Sequence, residues 1–259
     1  MKKLQMIQTH FSDNGIRLTY YFVLHSFLKR VSRLLTRRME SLEKRFQLPG
    51  DNTVARNYGM WQDYDWGKKG EEWTVSPEWK QSLIDEVMLK NITPGTTIVE
   101  IGPGAGRWTE TLQKIAKRLI LVDLSDKCIE LCKQRFSQCD NLEFFMNDGA
   151  NVDFIPSETV DFIWSFDVFV HVNSVETKKY IKEFNRILKK GGLGIIHHPR
   201  EGRSYEYEDN GWRSNMTAEL FRDMLKKHGL TLVRQFDSWG NRQQFNVKHY
   251  NDIITVFKK

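Results

Sequence analysis

The chain has 259 residues, 40% of them hydrophobic, and a formal net charge of +6. That length suits one α/β domain plus an extension, and that composition excludes an intrinsically disordered chain. Three cysteines (Cys128, Cys132, Cys139) exclude a disulfide scaffold, and basic residues mixed with Asp and Glu select neither a nucleic acid nor a membrane by themselves.

The chain opens Met1-Lys2-Lys3 and continues polar rather than into an apolar signal core. Its most apolar run, Leu18 to Leu28, is too short to span a bilayer. The expected location is therefore the reducing cytoplasm. Residues 1–50 form a first zone. Leu24, Phe27, Leu28, Val31, Leu34, Leu35, Met39 and Leu42 recur at helical spacing, with Arg30, Arg33, Arg37 and Arg38 on much of the other face. This predicts a basic amphipathic helical extension that ends near Pro49-Gly50. Packing on its own domain, pairing in a homodimer and peripheral contact with an anionic membrane are the uses open to it.

Residues 51–92 form a second zone, dense in aromatics: Tyr58, Trp61, Tyr64, Trp66, Trp73 and Trp79, with Gly67 and Gly70 around a charged turn. Such a segment either pads a core or makes a lid over a ligand pocket, with Tyr58, Tyr64 and Trp73 as the residues facing an acceptor. Ser76-Pro77-Glu78 opens a helix through Val87, with Ser76 as its cap.

From residue 93 to 259 strand and helix patterns alternate. Strands are expected at Thr97–Ile101, Leu119–Leu124, Leu142–Met146, Val160–Ser165 and Gly194–His197, with helices between them. Thr231–Phe236 and Asp252–Phe257 lack a helix between them, which predicts an antiparallel pair. The expected fold is an α/β, Rossmann-like, seven-stranded, mostly parallel sheet with helices on both faces.

The sharpest signal is Glu100-Ile101-Gly102-Pro103-Gly104-Ala105-Gly106-Arg107, where a strand runs through a glycine-rich turn into a helix. Glycines there let the backbone approach a ligand. The third glycine falls one residue early for a dinucleotide fingerprint, with Arg107 in its place. A carboxylate at Glu100 would repel a pyrophosphate and attract a ligand bearing ammonium and sulfonium groups.

On these residues the sequence resembles the class I S-adenosylmethionine (SAM)-dependent methyltransferases, of the small-molecule type, whose first motif is an acidic residue followed by G-x-G-x-G. The similarity extends from about Thr93 to the C-terminus and includes Ile187-Leu188-Lys189-Lys190-Gly191-Gly192, where lysine replaces the family's proline. It implies SAM as cofactor, held by Glu100, Gly102, Pro103, Gly104, Gly106 and Arg107. It also implies Asp123 and Leu124 at the ribose, Asp148 and Gly149 at the adenine, and Ser165 and Phe166 at the end of the fourth strand.

Ligands in open α/β sheets sit beyond the carboxyl ends of the strands. There lie Asp167 and His171 after the fourth strand and His197-His198-Pro199-Arg200 after the fifth. A hydroxyl or amine acceptor gives up a proton, and histidine titrates in the range to take it. His171 is the leading candidate base, with Asp167 beside it. Adjacent strand positions point to opposite faces, and of the pair at 197 and 198 the sequence reading favours His198. Arg200 and Arg203 are candidates to hold an anionic handle of the acceptor, set against pairing with Glu201, Glu206, Glu208 and Asp209.

No histidine or third cysteine lies at ligand spacing beside Cys128 and Cys132, so no metal is expected. The expected activity is methyl transfer to an oxygen or nitrogen of a small molecule such as a sugar, phosphorylated metabolite or natural product. An RNA or protein methyltransferase, an NAD-dependent oxidoreductase and a partner without catalysis are the alternatives. Nucleic acid is not an expected partner. The turn Ser165-Phe166-Asp167-Val168 lacks the prolines of the enzymes that methylate base amino groups, and no RNA-binding module is recognisable.

Overall fold

The computed structural model describes residues 3–46, 48–202 and 212–259. The chain forms two compact units, an N-terminal helix and a domain that begins at Pro49. Helix α1 (Lys3–Phe46) is broken once, at Gly15, whose φ of 73° and ψ of 171° are not helical. It begins well before the amphipathic pattern that starts at Leu24. A residue without a Cβ accommodates the break, and no proline interrupts the remainder.

The domain is a seven-stranded sheet: β1 (Thr97–Ile101), β2 (Arg118–Asp123), β3 (Leu142–Met146), β4 (Val160–Ser165), β5 (Leu188–Pro199), β6 (Thr231–Phe236) and β7 (Asp252–Lys258). Their order is β3-β2-β1-β4-β5-β7-β6. Strands β1 to β5 pair in parallel, and β7 lies between β5 and β6, antiparallel to both. The expected antiparallel pair is there, and β7 also reaches β5, setting Pro199 opposite Asp252.

Around the sheet lie helices α2 (Val54–Asp63), α3 (Pro77–Ser82, continued to Leu89 in wider turns), α4 (Thr109–Ile115), α5 (Asp126–Arg135), α6 (Ser174–Ile187) and α7 (Ala218–Lys227), and a small antiparallel ribbon pairs Ser238–Trp239 with Phe245–Asn246. The central strands read as near-continuous apolar runs because both faces are covered. One face buries Val99, Ile120, Ile163 and Ile196 against Phe184, Phe221 and Leu225. The other buries Ile98, Leu121 and Trp164 against Leu83, Met88 and Leu112. Residues 51–92 thus serve two purposes. Ser76 caps α3 by accepting from Trp79 N at 3.1 Å, and α3 gives Trp79, Leu83 and Met88 to the core. Several residues between Val54 and Trp73, among them Trp61, Tyr64 and Trp73, line cavities at the strand ends. The strand order reverses between β1 and β4, which opens a crevice beyond their carboxyl ends.

Candidate active site

The loop after β1 enters this crevice. Gly102 and Gly104 have φ of 70° and 57°, a region L side chains rarely adopt. A Cβ on Gly102 would come within 2.5 Å of Val168, and one on Gly104 within 2.7 Å of the Trp66 ring. The glycines are therefore demanded by backbone conformation and by neighbouring side chains, as well as by whatever ligand the loop meets. Asp123, at the end of β2, accepts from Gly104 N at 3.1 Å and from Ser125 N at 2.9 Å. Burial raises its pKa to about 6.

A cavity with about 900 Å³ of empty space lies against this loop. Gly102, Pro103, Gly104, Arg107, Asp123, Leu124, Gly149 and Phe166, all named in the sequence reading as cofactor residues, line it. The carboxylates of Asp123, Asp167 and Glu176 outnumber its cations, Arg107 and Lys69, and Arg107 is bound to Asp167. That balance fits a nucleoside carrying positive charge and disfavours a diphosphate.

Several expected cofactor residues lie elsewhere. Glu100 is buried beneath the loop, off the cavity wall, and accepts from Thr109 Oγ1 at 2.6 Å. Burial raises its pKa to about 8, so at neutral pH it is mostly protonated. Of these two carboxylates, Asp123 is the one on the cavity wall. Alternate residues of a strand face opposite sides of the sheet, and Glu100 shares the side of Ile98 rather than that of Ile101, which lines the cavity. Asp148 is exposed and accepts from Ala150 N and Asn151 N, closing its own turn while Gly149 lines the cavity. Ser165 donates to Ile101 O at 2.8 Å and braces β4 against β1. The Cβ position of Gly106 is filled by Phe136, away from the cavity.

A second cavity, with about 1370 Å³ of empty space, adjoins the first. Trp61, Trp73, Phe166, Asp167 and His171 line both. The Nδ1 of His171 lies 3.0 Å from the Trp212 carbonyl. A carbonyl only accepts, so Nδ1 carries the proton and Nε2 keeps the lone pair. Burial, and then the charge of Arg213, lower the pKa of His171 to about 4, so the ring is neutral at pH 7.

Behind it runs a buried chain of charges. Asp167, in a left-handed conformation at φ 61°, pairs with Arg107 and lies 3.1 Å from His197 Nδ1. His197 Nε2 lies 3.4 Å from Asp252, which in turn binds Arg213 at 2.5 Å. Burial works against charge on Asp167, but Arg107 and His197 hold it well below the usual carboxylate range. Burial also opposes charge on His197, and Asp167 and Asp252 overcome that to raise its pKa.

Here the histidine pair resolves against the sequence reading. His197 faces the second cavity, and His198 lines neither. His198 donates from Nδ1 to Pro199 O at 2.8 Å, its Nε2 lies 2.7 Å from Thr255 Oγ1, and its ring stacks on Phe221. With both nitrogens engaged it has no proton to exchange with a ligand. Asp252 joins the site through the pairing of β5 with β7 and Arg213 through its ion pair with Asp252, contacts no local pattern announces.

Among the lid candidates, Trp73 lines both cavities and Tyr64 the second, where its hydroxyl donates to Glu72 at 2.6 Å. Trp61 and Trp212, their rings 6.0 Å apart, complete that wall. Trp61 stood in the aromatic run without a feature to single it out. Tyr58 points to Asp126 and lines neither cavity. Arg200 pairs with Asp237 and is likewise off both walls, so its anion-holding role lacks a place here. Arg203 lies outside the described residues.

The fold, the glycine loop after β1 and the carboxylate that ends β2 resemble those of class I SAM-dependent methyltransferase domains. Residues 98–192 match the model of the family described as "Methyltransferase domain". The chain is 29% identical over 175 residues to phosphoethanolamine N-methyltransferase 3 of Arabidopsis thaliana, covering 64% of this chain and 34% of that protein. It is 37% identical over 68 residues to a probable ribosomal RNA small subunit methyltransferase A of Methanosarcina acetivorans, covering 26% and 25%. These matches span about a quarter to a third of the curated relatives' length. In fold, the chain is similar to the N-methyltransferase NodS of Bradyrhizobium japonicum, solved with S-adenosyl-L-homocysteine. The TM-score is 0.59 at 18% identity, over 80% of this chain and 98% of that one.

Proposed function

We propose that the protein transfers a methyl group from SAM to a small-molecule acceptor held in the second cavity, and that the acceptor atom is a nitrogen. The observation that carries this reading is the junction of the two cavities at His171 and Asp167. An acceptor in one cavity and a cofactor in the other would meet there, away from bulk water.

The walls favour an amine. Trp61, Tyr64, Trp73 and Trp212 offer aromatic faces, and Glu72 Oε2 is buried without a hydrogen-bond partner. Aromatic faces and a carboxylate are the chemistry that binds an ammonium group. Two N-methyltransferases among the similar proteins, the Arabidopsis relative and NodS, support the same class. An oxygen acceptor is the second reading, since a neutral His171 serves a hydroxyl equally well.

SAM supplies the reactive methyl group on its sulfonium when bound. The chain's part is to align, exclude water and receive a proton. Asp123 and the loop at Gly102–Gly104 would seat the nucleoside, with Leu124 and Gly149 beside it. His171 Nε2 would take the acceptor's proton. Asp167 would act as a positioning residue, fixed by Arg107 and His197. In location, the described residues contain no helix long and apolar enough to cross a membrane.

The test is incubation with isotopically labelled SAM and fractionated cell metabolites, with mass spectrometry of the products. Label on a small amine supports the proposal, and label on a hydroxyl selects the second reading. Label confined to RNA or protein overturns both.

A further inference from the structure

Asn57 of α2 is only 7% exposed and lines the first cavity. Its Nδ2 donates to the His171 backbone carbonyl at 2.9 Å. A carbonyl only accepts, so this bond fixes the amide with its nitrogen toward His171 and its oxygen turned away. That oxygen, Oδ1, is buried without a hydrogen-bond partner. Buried acceptors are seldom left unmet, because nothing else replaces their lost hydration. An unmet one on the wall of a ligand cavity marks the place of a ligand's donor.

Helix α2 is placed to close over such a ligand. Its first residue, Val54, lies 2.9 Å from where a Cβ on Gly149 would stand. Its last turn is tied to the chain after β2, where Ser125 Oγ donates to Gln62 Oε1 at 2.8 Å and Lys127 Nζ to the Gln62 carbonyl at 2.9 Å. Asn57 ties its middle to the loop after β4. The helix therefore reaches the ends of β2, β3 and β4 together.

Which donor meets Oδ1 follows from the orientation that methyl transfer demands, on the reading that SAM occupies the first cavity. Transfer into the second cavity requires the sulfur end at the junction, beside His171 and Asp167. Asn57 is bonded to His171 and shares that end. Asp123, the carboxylate at the ribose, ends β2, and β1 separates β2 from β4. The amino-acid arm of SAM leaves from the sulfur and carries an ammonium, which donates, and a carboxylate, which only accepts. An amide oxygen pairs with the ammonium alone.

We infer that Asn57 is a cofactor-binding residue: its Oδ1 accepts a hydrogen bond from the ammonium group of SAM while its Nδ2 holds the backbone of His171. The test is calorimetric titration of the full chain with S-adenosylhomocysteine and with 5′-methylthioadenosine, which keeps the nucleoside and thioether but lacks the amino-acid arm. Asn57→Ala should weaken the first about tenfold more than the second. A loosened lid would weaken both alike, so the ratio of the two Kd values isolates the contact. Asn57→Asp keeps an acceptor oxygen and adds a charge that suits an ammonium, so it should preserve the wild-type preference or raise it. Equal weakening of both ligands by Asn57→Ala overturns the inference, as does a preference lost in Asn57→Asp. Wild-type affinity for both ligands in Gly104→Val would put the cofactor's seat elsewhere, and the inference would fall with that reading.

Discussion

His171 donates its Nδ1 proton to the Trp212 carbonyl, 3.0 Å away, and the two rings lie 5.1 Å apart. The contact fixes the tautomer of a residue that lines both cavities, so the lone pair is on Nε2 before any acceptor arrives. Replacing His171 with alanine should lower kcat about 100-fold or more, with SAM affinity changed little. Calorimetric titration of SAM beside steady-state rates separates the two effects. Full activity in the variant would show that the acceptor's proton leaves by another route.

His198 provides the contrast. Burial lowers its pKa to about 3, and that of His171 to about 4, from 6.5. A histidine whose folded pKa is depressed contributes stability that is present above about 6.5 and lost as pH falls through the folded value. The melting temperature should therefore fall between pH 6.5 and 4. His198→Asn should flatten this limb and leave kcat at pH 7.5 unchanged, because His198 faces neither cavity. A loss of turnover equal to that of His171→Ala would place His198 in the chemistry after all.

Glu100 moves the alkaline limb. Its pKa, raised by burial from 4.5 to about 8, means that its contribution to stability is complete below 4.5 and lost as pH rises through 8. Glu100→Gln can still accept the Thr109 hydroxyl proton and has nothing to ionise. The variant should lose less melting temperature than wild type between pH 6 and 9. Equal losses would mean that Glu100 is ionised in the folded protein at neutral pH, restoring it as a source of negative charge near the loop.

Asp167 is held by Arg107 and His197, and its left-handed backbone suits asparagine. Asp167→Asn removes the charge and takes from the buried Arg107 its carboxylate partner. Loss of one partner of such a pair costs about 3–5 kcal/mol, read as a shift in the urea unfolding midpoint. An unchanged midpoint would mean the network is hydrated and dispensable.

Gly104→Val combines a left-handed φ with a clash against Trp66. It should abolish SAM binding while circular dichroism shows the sheet intact. Wild-type affinity would show that the cofactor does not seat against this loop.

What the sequence determined by itself was local. Alternating apolar runs and helical spacing fixed the strands β1 to β4 and the helices between them. The run from Gly102 to Gly106 marked the turn after β1, and Asp123 was legible as the carboxylate ending β2. Ser76 and Pro77 placed the start of α3. Each depends on neighbours in the chain, through dihedral preference, capping or burial on one face.

The tertiary structure alone decided which side chains share the crevice. Glu100 reads as a cofactor ligand in sequence, yet it turns beneath the loop, because the sheet face and not the motif sets its direction. His197 and His198 are indistinguishable as letters, and the pairing of β5 with β7 brings Asp252 to one and Thr255 to the other. Trp61 and Trp212 meet across a long stretch of chain. Contacts between residues far apart in sequence carry no local periodicity, so they exist only once the sheet has closed.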